Sequence, residues 1–176
     1  NVISVGGGCA GCELILGLSQ RLKRSIDAFV TDNKLADKVE ITVKPTLITN
    51  SAQILSRDPK ALQMELIDTM KRKQINMITQ HQVVKLDAQR VYLVDSAQNK
   101  EMSIAYDICL WATGAASHVL ETRNIARTER GWFKVNKYLQ CISHANIFGA
   151  GDCIEMVDYP RTPKAGVYAV RQGPIL

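Results

Sequence analysis

One stretch near the start constrains this chain more than any other: Val2-Ile3-Ser4-Val5-Gly6-Gly7-Gly8-Cys9-Ala10-Gly11-Cys12-Glu13. Val2 to Val5 is short, apolar and β-branched, the composition of a buried parallel strand. After the glycines, Leu14, Leu18, Leu22 and Ile26 recur every fourth residue, with Ile15 and Phe29 beside them, which predicts a helix with those leucines inward. A strand running through glycines into a helix is the setting in which Gly6, Gly8 and Gly11, spaced G-x-G-x-x-G, cradle a phosphate. Gly6 would permit the tight turn, Gly8 would let backbone approach a pyrophosphate, and Gly11 would let the helix close onto the strand. Unpaired N–H groups at the helix start would attract the anion. The same glycines also fit a tight turn that holds nothing.

Cys9 and Cys12 overlay a second pattern, C-x-x-C, which suits a redox dithiol or half of a metal site. The turn places Cys9 at the bend and Cys12 in the first helical turn, facing helix or neighbouring strand, where a thiol behaves as a small hydrophobe. A reactive Cys9 stays compatible with a helix start. A zinc site would need a second C-x-x-C or a His pair, and the sequence has neither, so no metal is expected. Five cysteines, an odd number without dense spacing, argue against a secreted disulfide scaffold.

Further along, strands are expected at Val39 to Val43, Thr46 to Thr49 and Ile75 to Ile78, and Thr31 to Pro45 is otherwise polar and irregular. Asp58-Pro59 opens a helix with Pro in its first turn, its inner face made by Leu62, Leu66, Ile67 and Met70. Val83 to Asp95 and Met102 to Tyr106 predict an antiparallel excursion turning at Ala97 to Lys100. Ile108 to Ala112 is a further buried strand, stopped by Thr113-Gly114. Beyond it lie a short strand, Ile147 to Gly149, and a helix from Lys164 to Arg171. This order predicts an α/β fold, a Rossmann-like doubly wound parallel sheet with an antiparallel β excursion. The chain carries 22 Lys+Arg against 17 Asp+Glu, a net charge of +5. Its basic clusters, Lys71-Arg72-Lys73 and Arg123, Arg127, Arg130, have no interleaved aromatics, so nucleic acid is not an expected partner. No apolar run reaches the roughly 18 residues of a spanning helix.

Four segments then carry a resemblance. VISVGGGCAGCELILGL, YDICLWATGA, NIFGAGDC and PKAGVYAVRQGPIL resemble, in order, the motifs of the pyridine nucleotide-disulphide oxidoreductase family, flavoproteins with two dinucleotide-binding domains. The type II NADH dehydrogenase-like branch is the most similar, and the PKAGVYAVRQGP ending is similar to members linked to selenide, water dikinase. The resemblance implies residues 1–114 as an NAD(P)-binding domain and 115–176 as a segment returning to an FAD-binding domain. It implies FAD and NAD(P)H as cofactors, with hydride passing from nicotinamide to flavin.

Residue by residue, Gly6, Gly7, Gly8, Cys9, Ala10 and Gly11 would hold the NAD(P)H pyrophosphate. Glu13 would lie toward nicotinamide and flavin as the candidate catalytic carboxylate; it also suits a solvated helix start favoured by the helix dipole. Thr113 and Gly114 match the A-T-G segment that closes the NAD domain. Gly151 and Asp152 match the G-D segment, whose Asp accepts a hydrogen bond from the FAD ribityl chain. Ala165 and Gly166 match the start of a helix aimed at the flavin ring.

The departures are specific. Thr49-Asn50 stand where an acid would bind the adenosine ribose, so NAD and NADP are both open. The family's first fingerprint is expected upstream of Asn1, and a C-terminal region beyond Leu176. Cys9 and Cys12 do not stand where disulphide reductases carry their redox pair. The expected partners are the rest of the FAD domain in the same chain and a small-molecule electron acceptor, a quinone among the candidates. The expected compartment is the cytoplasm, with peripheral membrane association open to the intact protein. Two rival readings remain: a stand-alone NAD(P)-dependent dehydrogenase, weakened because no Tyr-x-x-x-Lys occurs, and a non-catalytic nucleotide-sensing module.

Overall fold

The computed structural model describes residues 1–34, 40–117 and 124–176, which fall into two units, Asn1–Gly114 and Ala115–Leu176. In chain order the first unit comprises β1 (Val2–Val5), α1 (Cys9–Asp32), β2 (Pro45–Ile48), α2 (Lys60–Arg72) and β3 (Asn76–Ile78), then β4 (His81–Leu86), β5 (Arg90–Asp95), β6 (Glu101–Ala105) and β7 (Ile108–Trp111). β3, β2, β1 and β7 form, in that order, a parallel sheet with the apolar β1 at its centre. The excursion is a three-stranded antiparallel sheet, β4-β5-β6.

Alternation along the strands sorts the core into two layers. On one side of the sheet Val2, Leu47, Met77 and Ile108 pack with Cys12 and Ile15 of α1 and Met70 of α2. On the other, Ile3, Val5, Ile48 and Cys109 pack against Val91 and Leu93 of β5. Ile3, Ile15, Leu47, Ile48 and Leu93 are all fully buried, each contributing roughly 1.5–3 kcal/mol of transfer free energy. One face of the sheet is therefore covered by helices and the other by the antiparallel excursion.

Several local expectations are corrected. The buried face of α1 is Gly11, Cys12, Ile15 and Ser19, while Leu14 is 46% exposed. The glycine closure against β1 fixes the helix rotation, which turns Leu14 outward and leaves Leu18 and Leu22 flanking the core. α1 also extends through Thr31 and Asp32. In α2, Pro59 is the N-cap rather than a first-turn residue, and Gln63 is buried in place of Leu62. Gln63 Nε2 donates to the Asp58 carbonyl at 2.8 Å, which offsets the burial of its amide. Residues 40–44 form no strand: β1 and β3 begin opposite Pro45 and Thr46, so the chain before Lys44 runs past both neighbours. Val39, in that expected strand, and Arg123, in the basic cluster, lie outside the described residues. β7 is half-buried, with Trp111 56% exposed.

The second unit contains β8 (Phe133–Val135), a 3-10 turn at Gly151–Cys153, β9 (Ile154–Met156) and α3 (Gly166–Gln172). β8 and β9 pair in parallel over a small core of Val135, Leu139 and Ile154. The strand expected at Ile147 to Gly149 is a single bridge, Phe148 with Gln140. Ile147 is spent in a turn, its N–H donating to His144 O and its carbonyl accepting from Cys141 N. α3 starts two residues later than expected because Ala165 is extended and acts as its N-cap. No helix among the described residues is long and apolar enough to cross a membrane.

Candidate nucleotide site

The glycine turn is built by close approaches that side chains would forbid. Gly6 has φ +124°, a region closed to most L-residues. Its N–H donates to Ile48 O at 2.8 Å, and a Cβ there would lie 2.2 Å from Ala112 O. A Cβ on Gly7 would lie 2.6 Å from Thr49 Oγ1, and one on Gly11 only 1.9 Å from Gly6 O. Ser4 Oγ donates to Gly11 O at 3.1 Å and seals α1 onto β1. Gly8 differs: a Cβ there would meet nothing within 4 Å.

Gly8 is the N-cap of α1, extended at φ −81°, with no side-chain cap and no acidic residue in the first turn. The first bond of the helix is Cys12 N–H to Gly8 O at 3.1 Å. The N–H groups of Cys9, Ala10 and Gly11 precede that bond and have no partner inside the helix. Their dipoles sum at this end of a 24-residue helix, where they favour a negative charge. Cys9 and Ala10 are exposed on the open side of the turn, and Glu13 is exposed just beyond it. Cys12 is buried, its Sγ 3.8 Å from Gly7 O. Burial, then the neighbouring Cys9 and the carboxylates of Glu13 and Asp58, pushes its thiol up to about 11.

Neighbouring strand ends complete the rim. Ala112 N–H donates to Val5 O at 2.8 Å, so the segment leading to Thr113 and Gly114 follows β7 to the edge of Gly6. Thr49 is buried beneath Gly7, its Oγ1 accepting from Ser51 N–H at 3.2 Å, while Asn50 is exposed. Ten of the expected residues, Gly6 to Gly11, Thr49, Asn50, Thr113 and Gly114, thus share one end of the parallel sheet, where α/β folds place their ligands.

The expected residues of the second unit gather separately around α3. Gly151 has φ +76°, and its N–H donates to Gln172 Oε1 at 2.7 Å. Asp152 is exposed beside it, and Ala165 and Gly166 open the helix. The Lys164 ammonium donates to Ile154 O and lies 4.5 Å from the Trp132 ring centroid. Burial lowers its pKa, against the opposing pull of Glu155 and Asp152. The cavity lined by Asp152, Tyr159, Lys164 and Tyr168 is about 10 Å³, room for one water.

The chain matches the pyridine nucleotide-disulphide oxidoreductase family over residues 1–173. It belongs to that family. It is 24% identical to apoptosis-inducing factor homolog B of Dictyostelium discoideum over 183 residues, covering 96% of this chain and 45% of that protein. It is 27% identical to ferroptosis suppressor protein 1 of Xenopus tropicalis over 178 residues, covering 96% of this chain and 42% of the relative. The chain therefore spans less than half the length of the curated relatives it matches. Among solved structures, NDH2 from Plasmodium falciparum in complex with NADH superposes with a TM-score of 0.74 at 20% identity, over 88% of this chain and 32% of that one. Thioredoxin reductase of T. acidophilum superposes with a TM-score of 0.68 at 18% identity, over 99% and 49%.

As a member of this family, the chain has one turn whose geometry fits a dinucleotide: an uncapped helix N-terminus with free space over Gly8. In the second unit Asp152, the carboxylate expected to meet a flavin, is exposed beside the Gly151 turn, and the cavity it lines is about 10 Å³. The sequence reading missed two supports. Leu55, at φ +50°, donates its N–H to Gly7 O at 2.7 Å and braces the turn from behind. Gln172 holds the Gly151 turn from the far end of α3. Neither residue type carries a signal, because each acts through a contact that only the tertiary fold creates.

Proposed function

We propose that residues 1–114 are the NAD(P)H-binding domain, and 115–176 part of the FAD-binding domain, of an FAD-dependent NAD(P)H oxidoreductase. When bound, the cofactors supply the chemistry, a hydride passing from nicotinamide to flavin. This chain's residues bind and orient. The N–H groups of Cys9, Ala10 and Gly11 hold the pyrophosphate, and the bare backbone of Gly8 lets it approach. Thr113 and Gly114 bound the nicotinamide half, and the exposed Glu13 carboxylate faces it as the candidate catalytic group. In the second unit Asp152 accepts from the ribityl chain, and Ala165 with Gly166 face the flavin ring.

The observation that carries this reading is the contrast within the glycine turn: Gly6, Gly7 and Gly11 are filled against neighbours, while Gly8 faces open space. Buried Thr49, its hydroxyl oxygen accepting a backbone N–H, leaves Asn50 to meet the ribose. A neutral amide there neither requires a 2′-hydroxyl nor repels a 2′-phosphate. NADH and NADPH should accordingly bind the intact protein with affinities within about tenfold, 1.4 kcal/mol. The acceptor we propose is a small molecule of the quinone class. Purified intact protein should carry flavin absorbance that bleaches with NADH under nitrogen and recovers on adding a short-chain quinone. Absence of flavin, or of saturable binding by either nucleotide, overturns the reading; recovery with a disulfide but not a quinone overturns the acceptor assignment.

A further inference from the structure

We propose that Cys9 and Cys12 form a reversible dithiol–disulfide pair whose closure weakens nucleotide binding at the turn they occupy. The second half of this statement rests on the function proposed above; the first stands on the cysteines alone. Cys9 is the first residue of α1 and Cys12 the fourth, so both lie in one helical turn. Residues three apart share a helix face with Cα atoms about 5 Å apart, inside the window of roughly 4.4–6.8 Å for disulfides. No other two of the five cysteines lie so close along the chain.

The two sulfurs have unequal access. Cys9 is exposed, whereas Cys12 is 1% exposed with its Sγ turned toward Gly7 O. A solvent oxidant therefore meets Cys9 and not Cys12, and Cys12 is the sulfur placed to resolve the product. Burial keeps Cys12 from a solvent oxidant, so it adds no competing site of attack.

The oxidant class is a peroxide. The Cys9 sulfur attacks one peroxide oxygen, the O–O bond breaks, and Cys9 becomes a sulfenic acid while one water leaves. The Cys12 sulfur then displaces the remaining oxygen from Cys9, and its proton departs with that oxygen as a second water. Two thiols have lost two electrons and two protons, and the peroxide has become two waters. A thiol reductant reverses the bond by exchange.

Closure changes the cradle. Side chains three apart have Cβ atoms about 5–6 Å apart, whereas a disulfide needs roughly 3.5–4.5 Å. The first turn must tighten, and that turn, closed by Cys12 N–H to Gly8 O, presents the donors for the pyrophosphate. Hydrogen bonds weaken steeply with misalignment, so the oxidised chain binds nucleotide less tightly. By linkage, bound nucleotide favours the dithiol by the same factor.

The test uses the intact protein, reduced and then treated with hydrogen peroxide. Non-reducing peptide mapping should find Cys9 and Cys12 joined, and NADH titration should show the dissociation constant raised about tenfold, the worth of one hydrogen bond. Dithiothreitol should restore both. Cys12→Ser should leave a sulfenic acid at Cys9 that dimedone traps, and Cys9→Ser should give neither product. A disulfide to another cysteine, a stable Cys9 sulfenic acid in the parent, or unchanged NADH affinity in the bridged protein overturns the proposal. If the reduced protein binds neither nucleotide, the functional reading fails, and peptide mapping still decides the thiol pair.

Discussion

Replacing Gly8 and Gly11 one at a time with alanine separates a glycine kept for a ligand from one kept for packing. In Gly11→Ala the new methyl would sit 1.9 Å from Gly6 O and 3.4 Å from Ser4 Oγ. Both neighbours are held, Gly6 by its bond to Ile48 and Ser4 by its burial in β1, so α1 itself must withdraw from the sheet. That loosens the packing of Cys12 and Ile15, and overpacking of this kind costs about 1–3 kcal/mol. The melting temperature should fall by roughly 2–4 °C per kcal/mol for a chain of this size, or about 2–12 °C. In Gly8→Ala the methyl meets nothing within 4 Å at a φ of −81° that alanine adopts freely. A small loss in N-cap preference and a gain from the less flexible unfolded chain roughly cancel, so stability should stay within about 0.5 kcal/mol. The same methyl occupies the space we assign to the pyrophosphate, and NADH affinity should drop by at least about tenfold. Calorimetry paired with NADH fluorescence titration reads both quantities on each variant. Unchanged melting of Gly11→Ala, or parental NADH affinity in Gly8→Ala, would refute the reasoning.

Three further outcomes follow from single contacts. Gln172→Leu leaves the Gly151 N–H without its 2.7 Å acceptor, at a cost of about 1–3 kcal/mol, and the intact protein should be purified with less flavin than the parent by absorbance ratio. Asp87 accepts from the N–H groups of Gln89 and Arg90 and from the Tyr92 hydroxyl, and these bonds hold its carboxyl below the usual range. Its stabilisation is present above the unfolded value near about 3.9 and is lost as pH falls through the lowered folded one. Melting curves of the parent and Asp87→Asn should therefore differ at pH 6 and converge in acid. Cys12, raised to about 11 chiefly by burial, works in the opposite direction. The fold is favoured below the unfolded thiol value near about 8.5 and loses that contribution as pH rises toward the folded value. Cys12→Ala should flatten the alkaline decline in melting temperature between pH 8.5 and 10.5, and an equal decline in both proteins would count against a buried thiol.

The features legible in the sequence were those that depend on neighbours along the chain. Val2 to Val5 reads as a central strand because four apolar residues leave no polar face for solvent. The G-x-G-x-x-G turn reads correctly because its constraints, a positive φ at Gly6 and a close approach at Gly11, concern residues within five positions of one another. The antiparallel excursion is announced by alternating patterns around a polar turn. The ATG and GD segments stand out by the order of motifs, not by periodicity.

What the sequence concealed depends on rotation and on distant partners. A helix with apolar residues at Leu14, Ile15, Leu16, Leu18 and Leu22 has two possible inner faces, and periodicity does not choose between them. The choice is made by Gly11: only its face can approach Gly6 O, and so Ile15 and Ser19 turn inward while Leu14 turns out. The same closure decides the fate of the two thiols. It seats Cys12 against the turn and leaves Cys9 on the side where the unpaired N–H groups point. A residue with no side chain thereby orients the helix, opens the cradle over Gly8, and gives one cysteine to solvent and the other to the core.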